Sequence, residues 1–231
     1  KILKFKNFKP IINFLKKFNL KSFNDKQKVK DYLSFFELSY LIRKISEDNQ
    51  PTKNPKFLRY IKEGEKKPAP YDFNDLCRLH WIVLSRKVFT TLEYGSGFST
   101  AFIADACFIL SRYFNNIIND IRVEKKFHIF ALEESSKFLK ITKKRIPQFI
   151  SGHVTLIKSK INIAKYQNKF ATTYSMIPDI SPDFIYLDGP STFIKKRYKG
   201  FSFNNISRFP MSSDLLHFEY FLEPGTFLLV D

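Results

Sequence analysis

Short apolar runs alternate with longer amphipathic segments from residue 72 to residue 231, and this alternation constrains the fold most. The apolar runs are Val88–Leu92, Phe127–Leu132, Val154–Ile157, Phe184–Leu187 and Thr226–Val230. Helical patterns between them occupy Ser99–Tyr113, Ser135–Ile146 and Ser212–Leu222. Apolar strands separated by helices are typical of a parallel sheet that is covered on both faces and joined by right-handed crossovers. We therefore predict an α/β fold, with a doubly wound and mostly parallel sheet and helices on both faces.

The first third of the chain has a helical pattern instead. Spacings of three and four put Phe5, Phe8, Ile12 and Leu15 on one apolar face, and Pro10 is expected to begin that helix. Asp25 is expected to cap a longer helix, whose apolar stripe consists of Val29, Leu33, Phe36, Tyr40 and the residues up to Ile45. An apolar stripe of this kind normally packs against another apolar surface, so we expect these helices to pack on the main domain or on a second subunit. A basic amphipathic helix lying on a membrane surface is the alternative.

A proline-rich, charged stretch separates the two patterns. Residues 49–71 contain the charged run Lys62–Lys67 and four prolines, Pro51, Pro55, Pro68 and Pro70, which is typical of a linker or an exposed loop. We therefore predict a basic helical arm and linker over residues 1–71, followed by an α/β domain over residues 72–231.

The positive charge is concentrated in the arm. The 231 residues include 39 Lys+Arg and 22 Asp+Glu, a net charge of +17, and residues 1–70 hold 18 Lys+Arg against 7 Asp+Glu, a balance of +11. A basic face attracts nucleic acid, anionic lipid or acidic glycans. However, Lys outnumbers Arg, and specific phosphate recognition favours the bidentate Arg fork. We therefore favour codon bias as the explanation and keep nucleic acid as an alternative partner.

Cysteine content and hydropathy narrow the class of protein further. Cys77 and Cys107 lack metal-ligand spacing and are interpreted as buried thiols in a reducing compartment, which we take to be the cytoplasm. No segment approaches the roughly 18 uncharged apolar residues of a membrane-spanning helix. The segment Lys1–Leu20 is interrupted by lysines and has no small-residue cleavage site, so it does not resemble a secretory signal.

The main candidate site is the loop after the first predicted strand, which reads Glu93-Tyr94-Gly95-Ser96-Gly97. Ligands of open α/β sheets bind at the carboxyl ends of the strands. The two glycines allow a tight turn and a close approach of the backbone to a ligand, and Ser99 or Thr100 can cap the next helix. A dinucleotide-binding loop would have Gly at position 100, which argues against a nicotinamide oxidoreductase.

With an acid directly before its glycines, this loop resembles the first motif of class I S-adenosylmethionine-dependent methyltransferases, which have a Rossmann-like fold. The resemblance implies that S-adenosylmethionine is the cofactor and that Glu93 and the loop surround its methionine moiety. The cationic amino group of that moiety suits an acid, whereas a diphosphate would be repelled by it. The cofactor-binding residues predicted for this loop are Glu93, Tyr94, Gly95, Ser96, Gly97, Ser99 and Thr100.

Two later strand ends extend the resemblance over about residues 88 to 231. Glu133, at the end of the second strand, is expected to bind the ribose hydroxyls, and Glu134 is expected to begin the next helix. Asp188-Gly189-Pro190 resembles the strand-end motif of uncharacterised and O-methyltransferase-like groups of the family. This likeness places Asp188 beside the methyl-donor sulfonium, as a base or an orienting group; a structural cap of the loop is an equally weighted alternative.

The resemblance implies methyl transfer to a hydroxyl of a small molecule or saccharide. Segments Lys158–Ser181 and Thr192–Pro210 are expected to be substrate-covering loops, the first with Tyr166, Tyr174 and Met176, the second with the cluster Lys195, Lys196, Arg197, Tyr198 and Lys199. An RNA methyltransferase and a non-catalytic scaffold protein that keeps the fold are the alternatives.

No metal is predicted. A cation held by Asp188 and Asp231 is a minority hypothesis, because two carboxylates make an incomplete site. The four histidines, His80, His128, His153 and His217, show no ligand spacing. Family members continue beyond the fifth strand, so the chain is expected to be a fragment or to end one hairpin early.

Overall fold

A computed structural model describes residues 5–47, 72–118, 124–190, 197–198, 201–202 and 212–230. Its helices are α1 (Lys9–Leu15), α2 (Lys26–Phe35), α3 (Ser39–Glu47), α4 (Phe73–Arg86), α5 (Phe98–Phe114), α6 (Ser136–Arg145) and α7 (Asp214–Phe218). Its strands are β1 (Thr90–Tyr94), β2 (His128–Glu133), β3 (Val154–Lys158), β4 (Ile161–Tyr166), β5 (Lys169–Tyr174), β6 (Phe184–Leu187), β7 (Arg197–Tyr198), β8 (Phe201–Ser202) and β9 (Phe227–Val230). Short 3₁₀ helices occupy Leu20–Asn24, Gln148–His153 and Glu219–Phe221.

The five predicted strands form a parallel sheet in the order β3-β2-β1-β6-β9. The chain passes from β1 outward through β2 and β3 and then returns to β6 on the other side of β1, so the strand order reverses between β1 and β6. This topology confirms the predicted Rossmann-like α/β fold. It also places the switch point, where such sheets bind ligands, at the carboxyl ends of β1 and β6.

The two faces of the sheet are covered differently. Alternate strand residues, such as Ile129 and Phe184, pack with α4, α5 and the arm in one large core, whereas their neighbours, such as Leu92 and Ile185, form a smaller core. In the described residues that second core is completed by the hairpin β4–β5 and by α7, not by long helices. The predicted helix Ser212–Leu222 is therefore wrong in length: α7 has five residues, and a 3₁₀ turn follows it.

The hairpin corrects the prediction of a covering loop over Lys158–Ser181. Strands β4 and β5 pair antiparallel from Ile161↔Tyr174 to Tyr166↔Lys169. The two-residue turn between them has positive φ at both Gln167 and Asn168, as tight hairpins require. The alternating apolar residues and the Asn in the turn were the sequence signals for it.

The arm packs on the α/β domain. Pro10 lies in the first turn of α1, and the Asp25 side chain caps α2 by accepting hydrogen bonds from the amides of Gln27 and Lys28, as predicted. The longer helix predicted to continue to Ile45 is wrong, because the chain turns at Glu37, whose φ is +54°, before α3 begins. This turn allows both Phe36 and Leu38 to be buried.

A buried polar chain ties the arm to the domain. The Tyr32 hydroxyl lies 2.8 Å from His80 Nδ1, and His80 Nε2 lies 3.0 Å from Asp105 Oδ2. The Tyr40 hydroxyl donates to the other oxygen of Asp105. His80 and Asp105 are fully buried, so these groups satisfy one another inside the core.

Several predictions lie outside the described residues. They concern the linker over residues 49–71, the cluster at Lys195, Lys196 and Lys199, and Asp231. Arg197 and Tyr198 form β7, which pairs with β8. Among the described helices, none is both long and apolar enough to span a bilayer.

Candidate functional site

The loops after β1 and β6 touch backbone to backbone at the switch point. Gly95 has φ +94°, and a side-chain carbon on it would lie 3.0 Å from the Asp188 carbonyl oxygen. A side-chain carbon on Gly189 would lie 3.0 Å from the Tyr94 carbonyl oxygen and 3.1 Å from the Gly95 nitrogen. The Asp188 amide donates to the Tyr94 carbonyl at 3.0 Å, which holds the two loops together. Only glycine fits this contact on both sides.

Helix α5 begins at Phe98, ahead of both predicted caps. Gly97 is the N-cap residue, and its amide donates to Thr100 Oγ1 at 3.0 Å. Ser99 and Thr100 therefore stand inside the first turn; neither is the N-cap residue, but Thr100 takes part in the cap by accepting the Gly97 amide. The hydroxyls of both residues are also bonded to the carboxyl group of Glu93.

Glu93 lies beneath the loop and is fully buried. Burial raises its pKa to about 8; the hydrogen bonds from Ser99 and Thr100 oppose this rise, and the charges of Asp188 and Glu133 add to it. At neutral pH the carboxyl group is therefore mostly protonated and can donate one hydrogen bond while it accepts another. In the structure Glu93 holds the first turn of α5 through hydrogen bonds to the Ser99 and Thr100 hydroxyls. Its contact with a ligand stays a prediction.

Glu133 joins the end of β2 to the glycine loop. Its Oε2 accepts from the Ser96 amide and hydroxyl, both at 3.2 Å, and its Oε1 accepts from the Ser135 amide at 2.7 Å. Burial raises its pKa, while these hydrogen bonds and Lys158 lower it. The Ser96 hydroxyl also lies 3.2 Å from Thr142 Oγ1.

Glu133 keeps capacity to accept further hydrogen bonds. A carboxylate has about four acceptor positions, of which Ser96 and Ser135 fill three. The single proton of the Ser96 hydroxyl can turn to Thr142, which would release one position on Oε2. The expected binding of two ribose hydroxyls thus fits the carboxylate only when Ser96 takes this second partner.

Asp188 lies exposed just after β6, while Glu93 and Glu133 are buried. Both Asp188 and Glu133 raise the pKa of Glu93, so the three acids share one neighbourhood around Gly95. The described residues contain no group of three His, Cys, Asp or Glu side chains arranged to hold a metal ion. At neutral pH the negative charges around Gly95 are those of Asp188 and Glu133, because Glu93 is mostly protonated, and they favour a ligand that carries positive charge.

The hairpin brings a further side chain to the same place. Tyr174, predicted to lie in a covering loop, is the last residue of β5, and its ring centroid lies 5.5 Å from that of Tyr94. A side-chain carbon on Gly189 would lie 2.8 Å from the Tyr174 hydroxyl. Sequence patterns alone do not indicate this position, because it depends on how the hairpin packs across the sheet.

No protein-family model matches the chain, and no curated protein matches it. Among solved structures it is similar to the O-methyltransferase from Bacillus cereus in complex with SAH, with 15% identity and a TM-score of 0.41, over 84% of this chain and 66% of that one. It is also similar to SAH-bound methyltransferase PaMTH1 from Podospora anserina, with 15% identity and a TM-score of 0.41, over 84% of this chain and 69% of that one. The chain spans about two thirds of the length of these proteins.

Proposed function

We propose that this chain is an S-adenosylmethionine-dependent methyltransferase of class I. The observation that carries the proposal is the set of three acids, Glu93, Glu133 and Asp188, around a glycine loop at the switch point of a parallel sheet. S-adenosylmethionine carries a sulfonium and an ammonium group, which the negative charges of Asp188 and Glu133 attract, whereas the mostly protonated Glu93 contributes hydrogen bonds and little charge. The same charges would repel the diphosphate of a dinucleotide, which argues against an oxidoreductase.

The residues present fit this cofactor. Gly97 leaves the backbone of the loop open to close approach, whereas Gly95 is packed against the Asp188 backbone, and Glu133 has acceptor capacity for ribose hydroxyls. Glu93 fixes the loop through Ser99 and Thr100. When bound, the cofactor would supply an electrophilic methyl group on a good leaving group.

Asp188 is the candidate for the remaining chemistry. Its carboxylate is exposed where the two loops meet, so it can accept the proton of an acceptor hydroxyl as that oxygen becomes the nucleophile. The rest of the catalytic work is alignment of donor and acceptor. We propose a hydroxyl of a small molecule or saccharide as the methyl acceptor, and the cytoplasm as the compartment.

An RNA methyltransferase is the second candidate, because α6 presents a strongly basic surface beside the loop. Its Thr142 contacts Ser96, and its four lysines, Lys137, Lys140, Lys143 and Lys144, are exposed. RNA binding whose affinity falls steeply with salt concentration would favour this candidate over a small acceptor.

Calorimetric titration with S-adenosylhomocysteine tests the proposal and the place of binding. The wild-type chain should bind, and Gly97→Arg should abolish binding without unfolding the protein, because a side-chain carbon at position 97 meets only Ser99 Oγ, at 3.8 Å. The matched control is Gly152→Arg, since a side-chain carbon there has no neighbour within 4 Å, and it should bind like the wild type. Absence of binding by the wild-type chain, or binding of NAD instead, would contradict the proposal.

A further inference from the structure

Tyr174 is held in place from two sides. Its amide donates to both carboxylate oxygens of Asp214, at 3.1 and 3.2 Å, and the Thr173 hydroxyl donates to the same carboxylate at 2.6 Å. Its ring packs against Tyr94 at an interplanar angle of 54°. The main chain and the ring are thus fixed by groups that do not involve the hydroxyl, which leaves the hydroxyl available for another role.

The Tyr174 hydroxyl points at the meeting place of the two strand-end loops. It lies against Gly189, and it makes no hydrogen bond within the part of the chain that the structure describes. The residue is only 5% exposed. Burial raises the pKa of the phenol, and the carboxylates of Glu133, Asp214 and Glu134 raise it further, so the group remains protonated. Unlike the Tyr94 hydroxyl, which is fully enclosed, the Tyr174 oxygen still reaches solvent, so its proton is available to a ligand that replaces water there.

The chemistry of Glu133 indicates what that partner is. A carboxylate can only accept hydrogen bonds, whereas each ribose hydroxyl has a proton to donate and lone pairs to be satisfied. Glu133 can accept the proton of a ribose hydroxyl, but it cannot donate a hydrogen bond to the oxygen of that hydroxyl. The Tyr174 phenol can donate that bond. Of the carboxylates that raise the pKa of Tyr174, Glu133 has the largest effect.

We propose that Tyr174 is a cofactor-binding residue, which donates its hydroxyl proton to the ribose of the nucleoside that Glu133 also binds. This inference rests on the proposed function, and it assigns to the hairpin β4–β5 a direct part in holding the cofactor. The adenosine end of the ligand would then lie against Gly189 and Tyr174.

The test is Tyr174→Phe, which keeps the ring and removes one oxygen atom. Calorimetric titrations with S-adenosylhomocysteine and with 5′-methylthioadenosine, which lacks the amino-acid part, should both show affinity reduced by about three- to tenfold, the usual effect of one hydrogen bond. Tyr166→Phe is the matched control, since it lies at the far end of the same hairpin, and its affinities should equal those of the wild type. Thermal unfolding of both variants verifies that the fold is kept.

The outcomes separate the two proposals. If the wild-type chain binds neither ligand, the methyltransferase proposal fails and the role of Tyr174 fails with it. If the wild type binds and a folded Tyr174→Phe binds equally well, only the role of Tyr174 is overturned. A loss for S-adenosylhomocysteine without a loss for 5′-methylthioadenosine overturns the assignment to the ribose. A Tyr174→Phe variant that does not fold would also overturn it, because the hydroxyl would then support the structure.

Discussion

Glu93 should make the stability of the protein depend on pH in a way that a single substitution removes. Its pKa rises from the usual 4.5 to about 8 on folding, mainly through burial. Because the folded state then binds the proton more tightly than the unfolded state, this contribution is fully present below pH 4.5 and is lost as the pH rises through 8. Each pH unit in this window changes the unfolding equilibrium tenfold, so the whole window corresponds to at most about 5 kcal/mol.

Glu93→Gln should remove that dependence. The amide has the shape of the protonated acid, and it can donate to one of the Ser99 and Thr100 hydroxyls while it accepts from the other. Urea unfolding at several pH values between 5 and 8 should show the wild type losing stability relative to the variant, by up to about 4 kcal/mol over these three pH units. The exposed Glu223→Gln serves as the control and should follow the wild type. Parallel stability curves for the wild type and Glu93→Gln would refute the assignment of a buried, protonated carboxyl group.

Two further substitutions test the loop contact and the arm. Gly95→Ala should lower the free energy of unfolding by about 1–3 kcal/mol, because φ is +94° and the new side chain would clash with the Asp188 carbonyl. The control Gly152→Ala should change it little, since a side-chain carbon there has no neighbour within 4 Å. Equal effects of the two substitutions in thermal unfolding would contradict the loop contact. Tyr32→Phe should cost about 1–3 kcal/mol in urea unfolding, because it removes the hydrogen-bond partner of buried His80 Nδ1. The 91% exposed Tyr220→Phe is its control, and a neutral Tyr32→Phe would show that the buried chain contributes nothing to stability.

The sheet could be predicted from the sequence because each of its strands is an apolar run and helical patterns separate all neighbouring runs except Val154–Ile157 and Phe184–Leu187. The strand Phe184–Leu187 agrees in both bounds. The hairpin β4–β5 was missed, because polar residues interrupt both strands and leave no continuous apolar run. The break at Glu37 was missed for a different reason: the tertiary burial of Phe36 and Leu38, not local propensity, determines where the helix ends.

Only the part of the candidate site that consists of short sequence motifs could be predicted. The glycines and the strand-end acids are local patterns, and the topology brings them together at β1 and β6. The enclosure of Glu93 by hydroxyl groups depends on the angle at which α5 leaves the loop. The approach of Tyr174 to Gly189 joins segments that are distant in sequence, which no local pattern records.

The buried chain from Tyr32 and Tyr40 to His80 and Asp105 also sets an order of events during synthesis. Its hydrogen bonds join residues separated by 48 and 65 positions, and the arm is made first. Tyr32 reaches His80 once α4 is made, but the chain of hydrogen bonds is complete only after α5 has been synthesised, about 70 residues after the arm, which takes roughly 4 to 15 seconds at ribosomal rates. During that interval the aromatic residues of the arm can pack only on one another and on α4, without the part of the core that α5 supplies. The ribosome-bound chain is therefore most prone to aggregation before the glycine loop and its helix have left the exit tunnel.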